Sequence, residues 1–446
     1  MIDLFLVIVF CLFGVLTGIL TGLLPGLHVN NIALILLSLS GLFVSSFSFI
    51  LDFGFSNEFI FLLIGVFIIS CSLSHTFHDC IPSTFLGAPD PDTALSVLPA
   101  HDLLLEGKGF EAVSLSALGS FGAVLFCFLL LIPVRFIIGS PLFFYEVLRE
   151  TMFFVLVAIS ILMICTEKSR IDLFERGGVF PSILGMLFAV FVFILSGFFG
   201  IVIFGLSVDS PIGLNSPVLF PALAGLFGMP TLVTSLLTKP IIPEQEIEET
   251  VFDKKMKKSS FVSVVTGSMG GIFVSIIPGI TSATGTVIAM NVRGESSKRQ
   301  TIVTLSAVNT ACAFFVVVMM YVIMRARSGA ALAVMDLIAI EEWSGFLIPE
   351  YLCFLLICVL LSGVFSYFFT VFVGKIFAKR FANIPYMLLV ELTISMVVIL
   401  VFLFTGFMGL VILLVALFIG LLPVEFGVRR SHCMGILLIP VILYYF

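Results

Sequence analysis

Two stretches of the sequence combine a Pro-Gly dipeptide with side chains that are suited to holding a small anion. They are Gly22 to Asn31 (GLLPGLHVNN) and Gly271 to Thr284 (GIFVSIIPGITSAT). Proline removes a backbone N–H and glycine has no side chain, so each dipeptide interrupts an apolar run. Polar groups after the break would occupy the first turn of a new helix segment, where free N–H groups and the helix dipole favour negative charge.

The candidates for contacting such an anion lie on or just after the two dipeptides. They are Pro25, Gly26, His28, Asn30 and Asn31 in the first stretch, and Pro278, Gly279, Thr281, Ser282 and Thr284 in the second. Asn, Ser and Thr also cap helices in every class of protein, so capping alone would account for these side chains. Both interpretations are compatible, because a cap and a ligand can use neighbouring N–H groups.

Composition places these breaks inside a membrane. Of 446 residues, 60% are hydrophobic and 11% are charged, and the mean hydropathy is +1.28, whereas soluble domains carry about 25% charged residues. We expect an all-α polytopic membrane protein of the cell membrane, without nucleic-acid partners. Nine scattered cysteines without a CxxC pair indicate neither disulfides nor a metal site. The N-terminus has no basic region or A-x-A site typical of a removable signal peptide.

A third polar stretch, His75 to Thr93, follows an apolar run. Intramembrane ionisable groups are costly and usually face a site or an ion path, whereas Asp and Pro in a surface loop would simply form turns. The histidines of this stretch and His101 could titrate or contact an anion. Candidates for coupling to H⁺ or Na⁺ are Asp79, Asp90 and Asp92, and candidates for substrate contact are Pro82, Ser83 and Thr84.

The second half contributes three further candidates. Asn309 and Thr310 lie in the middle of an apolar segment, where an inverted copy of the Pro82–Thr84 region would fall, and Glu391 is a possible coupling carboxylate. Catalytic signatures are missing from the sequence: it has no Gly-rich phosphate loop and no G-x-S-x-G elbow. His75-x-x-His78-Asp79 offers nitrogen and oxygen ligands but no third partner, so we expect no metal and no cofactor.

Ten apolar runs are long enough to cross a membrane in addition to the broken stretches 4–51 and 261–291. They are 59–80, 112–133, 142–165, 178–206 and 218–238, then 301–324, 346–373, 384–404, 406–423 and 433–446. If each run crosses once, every Lys and Arg falls on one side except Arg135, Arg149, Arg325 and Arg327. The basic side is the cytoplasmic one, so the N-terminus and residues 52–58 are predicted outside, and 239–258 and 293–299 inside.

This siding predicts that both broken stretches are re-entrant hairpins with Pro-Gly at the tip, although two full spans with a tight turn would also fit. Because five crossings follow each hairpin, the second copy is inverted relative to the first, an arrangement typical of secondary transporters. The predicted units are a first membrane repeat at 1–238, a cytoplasmic linker at 239–260 that is only solvated, and a second repeat at 261–446.

Several stretches resemble the large membrane subunit of the tripartite tricarboxylate transporters, the TctA type. They are GILTGLLPGLHVNN from Gly18, the Pro-rich turn of Ile81 to Lys108 ending in LPAHDLLLEGK, GVFPSILG from Gly178, LFPALAGLFGMPTL from Leu219, and Gly267 to Asn291. The sequence departs from the family where His28 and two Asn follow the first Pro-Gly in place of small residues. The resemblance implies ion-driven uptake of small carboxylates, with a small membrane subunit and an extracytoplasmic binding protein as partners.

The residues and the resemblance together predict a transporter, not an enzyme. The substrate is expected to be a small organic anion such as a di- or tricarboxylate, held between the two Pro-Gly tips and driven by H⁺ or Na⁺. A translocase of a lipid-linked phosphate, such as a polyprenyl phosphate, would use the same tips but need a lateral opening. An intramembrane enzyme using His75, His78 and Asp79 is the third alternative, and sensitivity to chelators would distinguish it.

Overall fold

The computed structural model describes residues 2–24, 54–86, 97–167, 179–211, 218–238, 243–247, 254–277, 282–293, 297–381 and 386–446. All regular structure in these ranges is helical. Nine of the described helices are long and apolar enough to cross a membrane, or ten if one bent pair counts as a span. The expectation of an all-α polytopic membrane protein is therefore confirmed. The first Pro-Gly break, with Pro25, Gly26, His28, Asn30 and Asn31, lies outside the described residues.

The first half contains ten helical segments as far as it is described. They are α1 (Ile2–Leu23), α2 (Asn57–His78), α3 (Cys80–Phe85), α4 (Val97–Leu105), α5 (Gly109–Ile138), α6 (Phe144–Glu150), α7 (Met152–Cys165), α8 (Val179–Phe204), α9 (Leu219–Leu223) and α10 (Met229–Thr238). A π-helical turn, Ala224–Gly228, joins α9 to α10, so these two form one apolar segment.

The second half contains seven α-helices in its described part. They are α11 (Lys254–Ile276), α12 (Ser282–Arg293), α13 (Lys298–Val322), α14 (Gly329–Leu337), α15 (Glu350–Phe381), α16 (Tyr386–Glu425) and α17 (Gly435–Tyr445). Helix α16 is broken at Gly406, whose φ is 63°, so it consists of two helical pieces. A 3₁₀ turn, Arg430–Met434, precedes α17. The predicted boundary between runs 384–404 and 406–423 falls at this break.

Helices α1 and α2 lie parallel and almost in backbone contact. A Cβ atom at Gly14 would lie 2.5 Å from the carbonyl oxygen of Phe67, and one at Gly18 would lie 2.5 Å from that of Cys71. One turn along α1 therefore matches one turn along α2 in the same direction. Because the two helices begin on the same side, the chain between them must return to that side.

Helices α11 and α13 repeat this packing in the second half. A Cβ atom at Gly267 would lie 2.6 Å from the carbonyl oxygen of Thr304, and one at Gly271 would lie 2.5 Å from that of Val308. Gly271 holds the place that Gly18 holds in the first pair, seven residues before the proline in both stretches. The two helix pairs thus share one register.

In the second half, helix α12 runs back along α11. It runs antiparallel to α11: Gly285 lies against Val274, and Arg293 Nη1 donates to Ser263 Oγ at 2.5 Å. Its 12 residues span about 18 Å, well short of the roughly 30 Å of a bilayer core. The break at Pro278-Gly279 falls between α11 and α12, although residues 278–281 themselves lie outside the described ones.

Run 142–165 consists of two helices, α6 and α7, which meet at a 74° bend and make one crossing only if the bent pair counts as a span. Pro82 lies in the first turn of α3, where N–H groups have no intrahelical acceptor. The expectation that the linker is only solvated is wrong, since buried Gln245 bonds to Gly109 N and Leu104 O.

Candidate functional site

A chain of three buried side chains connects the two halves of the protein. Asn309 Nδ2 donates to Asp79 Oδ2 at 3.4 Å, and Asn309 Oδ1 accepts from Ser282 Oγ at 3.2 Å. All three residues are at most 5% exposed. Asp79 lies between α2 and α3, Asn309 is on α13, and Ser282 is the first residue of α12. The contact therefore joins the end of one apolar helix to the start of a half-length helix.

Asn309 owes its position to the middle of α13, a 25-residue helix that runs from Lys298 to Val322. The helix begins with a Ser297–Gln300 capping box and is apolar and buried along most of its length. The Asn309 amide lies about halfway along the helix. Its contact with Asp79 places that carboxylate at a similar level along α13. Buried polar groups of this kind are costly unless hydrogen-bonded.

Two histidines, His75 and His78, precede Asp79 near the end of α2. His75 Nδ1 lies 3.1 Å from Thr21 Oγ1, so α1 holds this ring from the other side. His78 Nδ1 donates to the carbonyl oxygen of Ser74 at 2.7 Å, which leaves Nε2 as the ring's second polar atom. That atom is buried and has no hydrogen-bond partner within the described ranges. His78 also lies where Gly22 of α1 approaches α2, just before the first Pro-Gly break.

A cavity of about 100 Å³ opens beside these groups, bounded by α2, α12, α13, α14 and α15. Its polar lining includes Ser72, His75, Asp79, Ser282, Asn309 and Ser328. Neither Lys nor Arg occurs among the described residues that line it. The cavity has room for a few water molecules or a small ion, and it presents one carboxylate with hydroxyl, amide and imidazole groups around it.

The structure brings together only some of the predicted site residues. Asp79, Asn309 and Ser282 form the chain described above, and Ser83 Oγ donates to the backbone carbonyl of Asp79 at 2.7 Å. Pro82 and Thr84 are buried beside them in α3. Thr310 is buried on α13 but does not line the cavity, and its hydroxyl has no partner in the described part of the chain.

Other predicted residues lie elsewhere or outside the described part. Glu391 is exposed on α16 and does not line the cavity. Thr284 is a residue of α12, although nothing is described of its side chain. Asp90, Asp92, Pro278, Gly279 and Thr281 all fall outside the described residues.

The shared register of the two helix pairs corrects one sequence-based equivalence. Since Cys71 corresponds to Val308, Asn309 corresponds to Ser72, not to the Pro82–Thr84 region. Ser72 lines the same cavity as Asn309, so the corrected pair still meets at one site.

Sequence reasoning missed several contacts of this site. Thr21, which bonds to His75, and Cys312 and Ser328, which line the cavity, carry no motif of their own. Thr21 stands beside the glycines of α1 at four-residue spacing (Gly14, Gly18, Gly22), so this stripe was the one available signal. Among the described residues no three His, Cys, Asp or Glu side chains lie close enough to hold a metal ion.

The fold and the site define a multi-pass helical membrane protein with a polar cluster where its two halves meet. Comparison with known families is decisive about the class: the chain belongs to the tripartite tricarboxylate transporter TctA family, whose model matches residues 8–435. The resemblance inferred from the sequence is confirmed. The chain is 29% identical over 441 residues to an uncharacterized protein of Methanocaldococcus jannaschii, covering 98% of each. No solved structure matches.

Membership of this family gives the chain a transporter-type function and a multi-pass membrane location. The family is a transporter family, which agrees with the expectation that the protein is not an enzyme.

Proposed function

We propose that the protein is an ion-coupled secondary transporter of small organic anions such as di- and tricarboxylates. The observation that carries this proposal is the Asp79–Asn309–Ser282 chain. It joins an ionisable group from the first half to the start of a short helix in the second half. A group that gains or loses a cation is thereby linked to the predicted anion site.

Asp79 is the residue proposed to couple transport to H⁺ or Na⁺. Asp79 is 4% exposed and lines the cavity. A carboxylate inside a membrane is costly, and such groups usually face a site or an ion path. Binding of a proton or Na⁺ would remove its negative charge. Because Asn309 donates to the carboxylate, neutralising Asp79 would weaken this bond and free the Asn309–Ser282 arm to rearrange.

The anion is proposed to bind at the start of α12 and at the first Pro-Gly break. The N-terminus of α12 offers free backbone N–H groups and the positive end of a helix dipole. Ser282 stands there with its hydroxyl in the polar chain. Since no Lys or Arg lines the described cavity wall, backbone groups would supply most of the attraction for the substrate.

Two inverted repeats around this site are part of the proposal. The shared register of the pairs α1–α2 and α11–α13 supports related halves, and the antiparallel return of α12 supports a hairpin in the second half. The distribution of Lys and Arg supports opposite orientations of the two halves. We place the protein in the cell membrane, with a small membrane subunit and an extracytoplasmic binding protein as partners, as the family description suggests.

Uptake into liposomes tests the proposed function. The protein is reconstituted together with its proposed small membrane subunit, the binding protein is added outside, and uptake of radiolabelled citrate and succinate is measured with an imposed Na⁺ or proton gradient. We expect Asp79→Asn, which keeps the size of the side chain, to lower gradient-driven accumulation at least about tenfold while exchange of internal for external substrate persists. Asp3→Asn, at the exposed start of α1, is the matched control. Equal accumulation by Asp79→Asn and the wild type would refute the coupling role, and absence of any uptake by the wild type would refute the carboxylate substrate.

A further inference from the structure

A second, wider cavity lies at the far end of α13. It has a volume of about 380 Å³ and is lined by Glu58, Tyr321, Glu341, Glu350 and Tyr351 together with apolar residues. The three glutamates come from the start of α2, the loop before α15 and the start of α15, and all three are exposed. All three line the same opening. We call this opening the acidic vestibule.

Tyr321 provides a second observation at the same place. Its side chain is 1% exposed and lines the acidic vestibule, and its hydroxyl has no hydrogen-bond partner among the described residues. A buried hydroxyl left in this state costs free energy unless water or an ion supplies a partner. The vestibule therefore leaves a phenolic oxygen free to bond to water around a cation, beside three carboxylates.

The acidic vestibule lies beyond the inner cavity along α13. Asn309, Ala313 and Val317 line the inner cavity, and Tyr321 follows them at the same four-residue spacing along α13. Residues four apart on a helix lie one above another. On the siding given by the loop charges, the start of α2 faces the outside, so the vestibule stands above the inner cavity on the external side.

The arginines predicted on this side do not line the vestibule. Arg135 is buried and donates to the carbonyl oxygens of Trp343 and Ser140. Arg149 pairs with Glu146, and Arg325 lies over the ring of Tyr145. Neither these arginines nor Arg327 lines the vestibule, while exposed Asp336 and Glu342 add negative charge nearby.

We propose that the acidic vestibule collects the coupling cation, Na⁺ or a hydrated proton, for transfer along α13 to Asp79. The cation keeps its water shell there, because within the described chain no three acidic or metal-binding side chains meet closely enough to replace it. Three carboxylates with no facing cation raise the local concentration of monovalent cations and lower that of anions. The role in coupling rests on the proposed transport function, whereas the selectivity of the vestibule for cations does not.

The selectivity is measured without any transport. Ala339 lines the vestibule and is exposed, so Ala339→Cys places one thiol there in a background where Cys165, Cys312 and Cys353, the cysteines that are not buried, are replaced. The rates of its reaction with a cationic and an anionic methanethiosulfonate are compared with those of a small thiol in solution. We expect a preference of roughly tenfold for the cationic reagent at low ionic strength, vanishing in about 1 M salt.

Charge removal gives the decisive comparison. Glu58→Gln, Glu341→Gln and Glu350→Gln together should abolish the preference, whereas Asp3→Asn, Glu146→Gln and Glu150→Gln, with the same change in net charge, should preserve it. In liposomes, the vestibule triple variant should raise the half-saturating concentration of Na⁺ at fixed pH, or of H⁺ without Na⁺, about threefold at constant ionic strength, with an unchanged maximal rate.

The outcomes separate the two proposals. A rate ratio near one in the parent, or one that the vestibule triple variant leaves unchanged, overturns the vestibule. So does an unchanged half-saturating cation concentration in a protein that transports. The last outcome combines two results: the wild type moves no carboxylate with any gradient, and it shows a high rate ratio that the vestibule triple variant loses. This outcome upholds cation collection and refutes the transport function proposed above.

Discussion

Replacing Asn309 with Asp tests the contact on which the proposed function depends. Asn309 Nδ2 lies 3.4 Å from Asp79 Oδ2, and aspartate has nearly the size of asparagine, so the variant puts a second carboxylate oxygen where the donor was. At an effective dielectric constant of about 20, two unit charges at that distance repel by about 5 kcal/mol. Two buried carboxylates so close cannot both stay ionised, so one of them must take up a proton.

We therefore expect Asn309→Asp to lose thermal stability at neutral pH and to regain part of it as the pH falls. Gradient-driven uptake by this variant should be lost at neutral pH. Asn309→Ser, which removes the amide without adding charge, is the control and should cost about 1–3 kcal/mol, the penalty for leaving buried polar groups unpaired. The charge swap Asp79→Asn with Asn309→Asp restores one carboxylate and one amide, so it should recover most of the lost stability.

The assay is thermal unfolding in detergent between pH 5 and 8, with uptake into liposomes measured in parallel. Asp79→Asn, Asn309→Asp and the swap form a double-mutant cycle with the wild type. A strong favourable coupling between the two substitutions is expected. Additive effects, with the swap as damaged as the sum of its single variants, would show that Asp79 and Asn309 are not neighbours in the protein.

Two further predictions concern contacts between segments outside the long helices. Gln245→Ala should destabilise the protein by about 1–3 kcal/mol in thermal unfolding, because it leaves the groups that Gln245 pairs unsatisfied; Glu244→Ala, next to it and exposed, should do almost nothing. Burial alone would raise the pKa of Glu167, but hydrogen bonds from His432 and Arg429 lower its pKa to about 2, from 4.5. Ionised Glu167 thus stabilises the protein fully above pH 4.5, and this stabilisation is lost as the pH falls to about 2. Glu167→Gln should remove this pH-dependent step and should lower the melting temperature at neutral pH.

Local signals in the sequence predicted much of the helical framework. Apolar runs of sufficient length marked the long helices, and Pro278-Gly279 marked the gap between α11 and α12. The register of Gly18 and Gly271 was also visible, because close helix contact needs glycine at fixed intervals. These features depend on neighbours in the chain, which is why they could be predicted without knowledge of packing.

Contacts between distant segments were beyond such reasoning. Asp79 and Asn309 are separated by 230 residues and were proposed for unrelated reasons, and no sequence pattern indicated that they touch. The docking of Gln245 against the turn before α5 and the pairing of Glu167 with Arg429 were missed for the same cause. In each instance a polar group finds its partner only after helices have packed, so the sequence around it did not reveal the contact.

The polar cluster combines different chemistry from the two helix pairs, although the pairs share one register. Asp79 and His75, the carboxylate and the imidazole of the described cavity lining, both come from the first half, whereas Asn309 and Ser282 of the second half are uncharged. The position that corresponds to Asp79 on α13 is Val316. Any displacement of one pair against the other therefore changes the distance between Asn309 and the Asp79 carboxylate, and with it the free energy of the ionised form. If Asp79 binds the coupling cation, as proposed above, cation occupancy and the relative position of the two halves are linked through this one hydrogen bond.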